Sequence, residues 1–379
     1  MRADGIVREV LRDVEGEIHR ARLGAVSAAV CALISGGQIG LAALGRAIGR
    51  RSHKHGIKRI DRLLGNRALV VELELIYAAI VRYVLRSVAR PVILLDWTES
   101  GHDMYSLTAA VPLQGRAIAI YSVTVPRSQY TARRVENTFL DKLRTLLPST
   151  CRPILVGDAG FRAPWMRRVQ QMGWDFVVRV RGRTLVQRVG GEKWQHWKQL
   201  TTPTRGKAHA LGTFRIVKQM AVEAQLVFFE RRALKSAEKR RNARARRAAR
   251  GNREPWLLAT TLSRSANDVV AIYKARMQIE LTFRDLKSHR FGWGFEDARC
   301  RSTARVAVQL MLVAVASLVV MLVGIAAEAA GMQKHYQANT IRKRRVLSLV
   351  ALGRVVIRTV EKPRIAAQLR NHLPFKGIP

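Results

Sequence analysis

Residues 91–126 read PVILLDWTESGHDMYSLTAAVPLQGRAIAIYSVTVP. VILLD is a continuous apolar run of the kind found in a buried strand, and it ends on Asp96. Two further strand-like runs, MYSLTAAVPL and RAIAIYSVTV, are joined by the turn-forming pair QG. The stretch therefore predicts three consecutive strands.

The chain that follows, up to residue 182, alternates between helix and strand patterns. ENTFLDKLRTLL has helical spacing, and PILVGD is another apolar strand that ends on an acid, Asp158. APWMRRVQQMG is typical of a short helix with Pro near its start, and WDFVVRVRG of a strand. This succession predicts an α/β fold class with a mixed sheet.

The amino-terminal part, residues 1–88, has apolar positions at helical spacing of three and four. Within it, GLAALGRAIGRRSHKHGIKRIDRLLGN predicts two short amphipathic helices around a basic turn, similar to helix-turn-helix spacing. The pattern alone leaves two interpretations open. One is contact with DNA sequence, and the other is a plain helical dimerisation or core role.

Residues 183–253 interrupt the α/β rhythm. LVQRV, FRIVKQM and AQLVFFERR are predicted to be β segments. A basic run follows from Arg231 to Arg253 with eleven bases and one acid, Glu238. Such a run is either a solvated surface segment or a contact for phosphates. Its position inside a strongly basic chain favours phosphate contact.

The composition of the chain narrows the class of partner. Sixty-seven Lys and Arg stand against 27 Asp and Glu, for a formal charge of +40 and a pI near 11.6. Such a surface needs polyanions, so nucleic acid is the first partner to consider and anionic membrane the second. The three cysteines are far apart in the sequence, which predicts neither a zinc finger nor a disulfide framework. The amino terminus has no apolar stretch, so export is not predicted.

The segment 306–327, VAVQLMLVAVASLVVMLVGIAA, is long and apolar enough to cross a bilayer. Basic residues flank it on both sides, so it has no positive-inside asymmetry. A helix buried on all sides in a large core has the same composition. We predict the buried helix, with a membrane anchor as the alternative.

One predicted helix, ANDVVAIYKARMQIELTFRDLKSHR, carries Tyr273, Arg276, Glu280 and Lys287. At about 100° per residue, these four positions fall within about 60° of arc on one continuous helix. The face would present a phenol, two cations and a carboxylate. A solvated salt-bridge face could produce the same pattern.

Asp96 and Asp158 strengthen the functional interpretation. Acids at the ends of buried strands are poorly explained by packing, because an unpaired buried carboxylate is costly and a divalent cation removes that cost. With Glu280 they could hold two Mg²⁺ ions about 4 Å apart for phosphodiester cleavage. Glu99 and Asp103 are predicted to be loop residues.

The spacing YxxRxxxExxxxxxK resembles the YREK motif of DDE transposases of insertion-sequence family four. LLDWTES and GDAGFRAPW resemble the first and second aspartate motifs of that family. RVRG, EPWLLAT, RMQIELTFRDLKS and HYQANTIRKRRVLS look like the transposase of transposon ten. The resemblance runs from DRLLGN in the amino-terminal helices to about residue 353.

The resemblance implies an RNase H-like mixed-sheet catalytic core, interrupted by a β-rich insertion before the catalytic Glu. Asp96, Asp158 and Glu280 would be catalytic ligands of two Mg²⁺ ions, with Mn²⁺ as a substitute, and Tyr273, Arg276 and Lys287 would bind DNA. Trp256 would stack a base that leaves the helix; a core aromatic at a strand start is the alternative. Trp165, Trp174, Trp194 and Trp197 are assigned to packing.

The resemblance also implies a division of the chain. The ranges are a helical DNA-end-binding domain at 1–88, the core at 89–182 and 254–330, the β-rich insertion at 183–253, and a basic, helical carboxyl-terminal region at 331–379. The last region would contact DNA or form the dimer.

Family members nick the element end, form a hairpin, reopen it and join the ends to target DNA. This chain would accordingly act as a homodimer on paired double-stranded terminal inverted repeats, without a membrane, in the bacterial cytoplasm at the nucleoid. Two alternatives remain: a metal-dependent nuclease that does not join, and an inactive DNA-binding protein.

Overall fold

The computed structural model describes residues 3–49, 52–86, 88–200, 205–231, 254–290, 292–338, 340–341 and 344–359. The basic run after Arg231, the pair Arg342 and Lys343, and residues beyond 359 lie outside them. The chain forms two compact units. The first contains Met1–Ala132, Thr138–Cys151 and Met277–Pro379, and the second contains Arg133–Asn137 and Arg152–Arg276.

The α-helices and β-strands are as follows. The helices are α1 (Ala3–Leu11), α2 (Arg20–Ile34), α3 (Leu41–Ile48), α4 (His53–Leu64), α5 (Arg67–Leu85), α6 (Arg133–Leu146), α7 (Ala163–Gln171), α8 (Ala266–Lys274), α9 (Met277–Lys287), α10 (Thr303–Ala329) and α11 (Leu349–Thr359). The strands are β1 (Val92–Glu99), β2 (Met104–Leu113), β3 (Arg116–Pro126), β4 (Ile154–Gly157), β5 (Asp175–Val180), β6 (Leu185–Arg188), β7 (Gln195–His196), β8 (Ala208–Ile216), β9 (Val222–Phe229) and β10 (Trp256–Thr260).

The first unit contains the three strands predicted from residues 91–126, paired antiparallel in the order β3-β2-β1. The predicted end of the first strand was wrong, because β1 continues beyond Asp96 to Glu99. Trp97, Thr98 and Glu99 all pair with residues of β2. Asp96 therefore lies inside the strand and not at its end.

Helix α10 is the centre of the first unit. It contacts α1, α2, α5, α11 and β3. Of its most apolar stretch of 18 residues, 94% is buried inside the protein. This is the helix that sequence alone could have assigned to a membrane, and the structure places it in the core, as predicted. Gly324 and Gly353 let α10 and α11 approach closely, since a Cβ on Gly353 would lie 2.0 Å from the carbonyl oxygen of Val320.

The two predicted short amphipathic helices form as α3 and α4. They cross at glycines: a Cβ on Gly56 would lie 2.1 Å from the carbonyl oxygen of Gly45. Ser52 caps α4 by accepting a hydrogen bond from the amide of His55. The contact surface of this helix pair is therefore backbone against backbone.

Helix α9 is fastened to the start of β3, which is the outer strand of the three. The amide of Gly115 donates to Gln278 Oε1 at 3.0 Å, and the amide of Ala117 donates to Thr282 Oγ1 at 2.8 Å. Between them, Arg116 forms an ion pair with Asp285, and both side chains are nearly buried. One side of α9 thus satisfies the polar groups at the beginning of β3.

The second unit contains seven strands in the order β4-β5-β10-β9-β8-β6-β7. β4 and β5 are parallel, while the other pairs are antiparallel. The sheet is therefore mixed, in agreement with the predicted α/β class. Helix α7 packs against β5 and β9, and α8 packs against β5, β8, β9 and β10. Strands β6 to β9 come from the stretch predicted to be a β-rich insertion.

We predict that Gly56→Ala destabilises the protein by about 2 kcal/mol, because the added methyl forces α3 and α4 apart. The matched control is Gly24→Ala in the interior of α2, where a Cβ meets nothing within 4 Å. That change should be neutral or stabilising by up to about 1 kcal/mol. Urea unfolding of the two variants tests the difference, and equal stability would contradict the close crossing.

We predict that Asp285→Asn lowers the free energy of unfolding by about 3 kcal/mol, because it leaves Arg116 buried without its counter-charge. The double variant Arg116→Met/Asp285→Leu should recover most of the loss. Asp13→Asn is the control, because it breaks the exposed pair with Arg82 and should cost less than about 1 kcal/mol. A double-mutant cycle from urea unfolding that gives no coupling would exclude the buried pair.

Candidate active site

Asp96 points to the side of the first-unit sheet on which α9 and α10 lie. It pairs with Thr108 of β2, and paired residues of neighbouring strands project to the same face. Thr108 and Ser122 line an internal cavity together with Ile279 and Phe283 of α9. The carboxylate is half-buried, and its Oδ1 accepts a hydrogen bond of 2.9 Å from the amide of Trp97.

Buried hydroxyls surround Asp96 on this face. Ser106 bonds to Thr124 at 2.8 Å, and Thr108 bonds to Ser122 at 3.0 Å. These hydroxyls were not predicted to belong to the site, although the sequence contains a pattern that indicates them. DWT, SLT and SVT each place two polar side chains at alternate positions of a strand, which marks a polar stripe on an otherwise apolar sheet face.

The helix predicted to carry Tyr273, Arg276, Glu280 and Lys287 is not continuous, and this prediction was wrong. It is interrupted at Ala275 and Arg276, between α8 and α9. The amides of both residues bond to carbonyl oxygens three residues earlier, which tightens the last turn of α8. The regular rotation of 100° per residue is therefore interrupted between Tyr273 and Glu280, and it cannot be used to place these two side chains on one helix face.

Glu280 and Lys287 do share one stripe of α9. Seven residues apart, they lie within about 20° around the helix axis. The residues that fasten α9 to β3, Gln278, Thr282 and Asp285, lie about 140° to 160° away. Glu280 is half-buried, and Lys287 lines a cleft of about 540 Å³ with Glu99 and Ser100 at the end of β1.

Asp158 belongs to the second unit and directly follows β4. Its Oδ1 accepts a hydrogen bond of 2.8 Å from the amide of Gly160. The pKa of Arg181 is raised mainly by its hydrogen bond to Glu254, and that of Tyr273 mainly by burial. The charge of Asp158 raises both further, so these side chains lie within electrostatic range of it. Tyr273 also hydrogen-bonds to Arg276. Asp158 thus lies within electrostatic range of one guanidinium group and of a phenol that is hydrogen-bonded to a second guanidinium group.

Two arginines of this cluster were not named as site residues from the sequence. Arg179 lies on β5 and Arg181 follows it, both within the RVRG string. Burial lowers the pKa of the Arg179 guanidinium, and so do the neighbouring cations Arg181 and Arg276. Its Nε is buried and has no hydrogen-bond partner among the residues that the structure describes. Two basic residues at alternate positions near a strand end were the available signal.

Glu254 balances part of this positive charge. It forms ion pairs with Arg179 and Arg181. The hydrogen bond from Arg181 holds the pKa of the Glu254 carboxyl below its usual range and raises that of Arg181. Tyr273 is 4% exposed, and burial raises the pKa of its hydroxyl despite the nearby arginines. The phenol therefore stays protonated and can donate a hydrogen bond to an anion.

Trp256 is the first residue of β10 and is 8% exposed. It contacts the rings of Phe229 and Tyr273, and the guanidinium of Arg231 lies 4.5 Å from its ring centre. A base can reach the covered face of this ring only after Arg231 moves. Trp165, Trp174 and Trp197 are buried, and Trp194 is partly exposed.

The three predicted metal ligands offer carboxylate oxygens, which suit hard divalent cations such as Mg²⁺ and Mn²⁺. Asp96 and Glu280 belong to the first unit and Asp158 to the second. In the described part of the chain, no three His, Cys, Asp or Glu side chains form a ready group for one ion. The residues fit the cation by the chemistry of their donor atoms.

Comparison with known proteins addresses the family. Residues 90–319 match the family model described as a transposase DDE domain, and all seven predicted site residues lie within that range. No match exists among curated proteins.

Seven chains of solved structures match. One is a cryo-EM structure of a piggyBac transposase synaptic complex with hairpin DNA, at 10% identity and a TM-score of 0.43, over 96% of this chain and 79% of that one. At that level the likeness says nothing about chemistry. The family match covers well over half of the residues, and the chain belongs to the family of transposase DDE domains, enzymes that cut and join DNA phosphodiester bonds.

Proposed function

We propose that this enzyme moves an insertion sequence by cut-and-paste transposition. It binds the terminal inverted repeats, cleaves the strands, forms hairpin ends and joins the ends to target DNA. We place it in insertion-sequence family four, near the transposase of transposon ten, on the motif strings around Asp96, Asp158 and Glu280. The family match supports the reaction class, and the motif strings support the finer assignment.

The observation that carries this proposal is that Asp158 and Arg181 follow the neighbouring parallel strands β4 and β5, and that Asp158 lies within electrostatic range of Arg181 and Tyr273. A metal ligand next to donors for phosphate oxygens is what phosphodiester chemistry needs. A protein that only binds DNA has no use for a carboxylate among its phosphate contacts, because the two negative charges repel each other.

The side chains of this chain divide the work. Arg181, Tyr273 and Arg276 bind the phosphate next to Asp158, and Lys287 binds another phosphate of the DNA beside Glu280. Trp256 takes an unstacked base once Arg231 has moved from its ring. The cations hold the strand in place and offset the negative charge that grows on the phosphate oxygens in the transition state.

DDE transposases depend on divalent metal. In this chain we assign two Mg²⁺ ions, or Mn²⁺ in their place, to Asp96, Asp158 and Glu280. The ions would supply a more acidic attacking hydroxyl and a stabilised leaving oxygen. The protein itself forms no covalent bond to DNA.

The proposed reaction alternates hydrolysis and transesterification of phosphodiester bonds. Water cleaves one strand and leaves a 3′ hydroxyl. That hydroxyl attacks the opposite strand and releases flanking DNA as the hairpin forms. Water reopens the hairpin, and the 3′ hydroxyl then attacks a target phosphodiester.

The proposed partners are double-stranded DNA of the element ends and target DNA. We propose a homodimer on paired ends, in which each site acts on the end held chiefly by its partner. The proposed location is the bacterial cytoplasm at the nucleoid, because a charge of +40 favours DNA as the polyanion.

We predict that Asp96→Ala, Asp158→Ala and Glu280→Ala each lower strand cleavage by at least about a thousandfold while end binding stays within about threefold. The assay incubates purified protein, Mg²⁺ and a plasmid that carries the element termini, with products resolved on a denaturing gel. Glu99→Ala and Asp103→Ala are matched controls, because both carboxylates are exposed. These two variants should cleave normally.

The products separate the alternatives. Cleavage without joined products would indicate a nuclease and not a transposase. Binding without cleavage by the wild-type protein would indicate an inactive DNA-binding protein. A fully active Asp158→Ala variant would exclude the carboxylate assignment.

We predict that Lys287→Ala weakens binding of DNA ends and lowers the slope of log K against log salt by about 0.9, because one phosphate contact is lost. Anisotropy titrations at several salt concentrations measure the slope. Arg8→Ala is the control, because Arg8 is exposed on α1 and paired with Asp4. If both variants keep the wild-type slope, Lys287 does not contact a phosphate.

A further inference from the structure

We infer that α4 is the helix that reads the element ends, by entering the major groove of DNA with Lys54 and Lys58 against the base edges. This inference rests on the proposed function, since it assumes that the amino-terminal helices bind the terminal repeats. The sequence alone did not distinguish among the five helices of this region.

The side chains of α4 divide cleanly between two faces. Lys54, Lys58, Arg62, His55 and Arg59 are all exposed and lie within about 140° of arc. The opposite face is closed by packing. Its buried residues are Gly56, Ile60, Leu63 and Leu64. The outer face thus presents four permanent cations and an imidazole to solvent.

These cations are not used by the fold. In the described part of the chain, Lys54, Lys58, Arg59 and Arg62 form no ion pair. The acid of this helix, Asp61, is paired with Arg305 of α10 at 2.8 Å. A bound phosphate backbone would therefore meet the cations of α4 without displacing a protein carboxylate.

The neighbouring helices differ in this respect. Arginines of α1, α2 and α5 lie beside carboxylates, as the pairs Arg8–Asp4, Arg22–Glu72 and Arg82–Asp13 show. Helix α3 carries a single cation, Arg46. Among the five helices, α4 is the one whose outer face combines several unpaired cations with an otherwise polar surface.

Helix α4 is held in place by a close backbone contact and by an ion pair. Its inner face rests on α3 at Gly45 and Gly56, where backbone meets backbone. The Asp61–Arg305 pair ties it to the core helix α10. Since the tight contact is on the inner face, the outer face is free to enter a groove without moving the helix pair apart.

The dimensions suit B-form DNA. Twelve residues give a length of about 18 Å, and a helix fits the major groove, which is about 12 Å wide. In helix-turn-helix proteins the amino-terminal residues of the second helix contact the bases. Lys54 and Lys58, one turn apart in the first half of α4, are placed for guanine O6 and N7 atoms. Arg62, nearer the end, is placed for a phosphate.

The test uses the full-length protein and a library of random 30-base-pair duplexes. The wild-type protein is used to select the duplexes that it binds, and these define the enriched motif. Binding of the protein to the enriched duplex and to a scrambled copy is then measured by anisotropy at several salt concentrations. The variant is Lys54→Ala/Lys58→Ala. The matched control is Arg12→Ala/Arg20→Ala, which removes two exposed arginines outside α4.

We expect the enriched-to-scrambled affinity ratio of the double lysine variant to fall at least about tenfold, since contacts to base edges carry the discrimination between sequences. The control should keep this ratio within about twofold. An unchanged thermal midpoint shows that both variants fold, as expected for exposed side chains.

Two results would overturn the inference alone. One is an unchanged ratio and motif in the lysine variant. The other is an equal loss of affinity for both duplexes with a salt slope lower by about 1.8, which means phosphate contact without base reading. Failure of wild type to enrich any motif would instead contradict end recognition itself, and the inference would fall with it.

Discussion

The amides of Gly115 and Ala117 at the outer strand β3 are hydrogen-bonded by side chains of α9. Polar groups at a sheet edge need partners, and here a helix supplies them with Gln278 and Thr282 at a spacing of four residues. One face of α9 is thereby committed to β3. Helix geometry then fixes where Glu280 lies, because its position around the axis follows from those two residues. Tolerances of about 0.5 Å at a catalytic site require such a fixed support.

Strands were predicted correctly where one local sequence pattern was enough to identify them. Continuous apolar runs predicted β1 and β4, and two strand-like runs joined by the turn-forming pair QG predicted β2 and β3. The end of β1 was missed because Asp96 is a poor strand former, while its pairing with Thr108 is a tertiary contact that no local pattern shows. The break before α9 was missed because Ala275 and Arg276 are good helix formers without Gly or Pro.

The candidate site was predictable as a set of residue types and not as an arrangement. Acids after apolar runs identified Asp96 and Asp158, and motif spacing identified Glu280. Arg179 and Arg181 were hidden because cations are common in a chain with 67 of them. What distinguishes Arg179 is its burial beside two other cations, and burial depends on the pairing of β5 with β10. For Trp256 the sequence left base stacking and a core position as alternatives, and only the fold shows that the rings of Phe229 and Tyr273 pack against it.

The first unit is discontinuous along the chain. Helices α1, α2, α4 and α5 are made early, yet the helix against which they pack, α10, begins at Thr303. During synthesis the amino-terminal helices therefore wait, with apolar faces uncovered, until most of the polypeptide has left the ribosome. A message that ends early yields a fragment without its central helix. In such a fragment the apolar faces of the amino-terminal helices have no partner to cover them, so the amino-terminal part of the first unit depends on synthesis reaching Ala329.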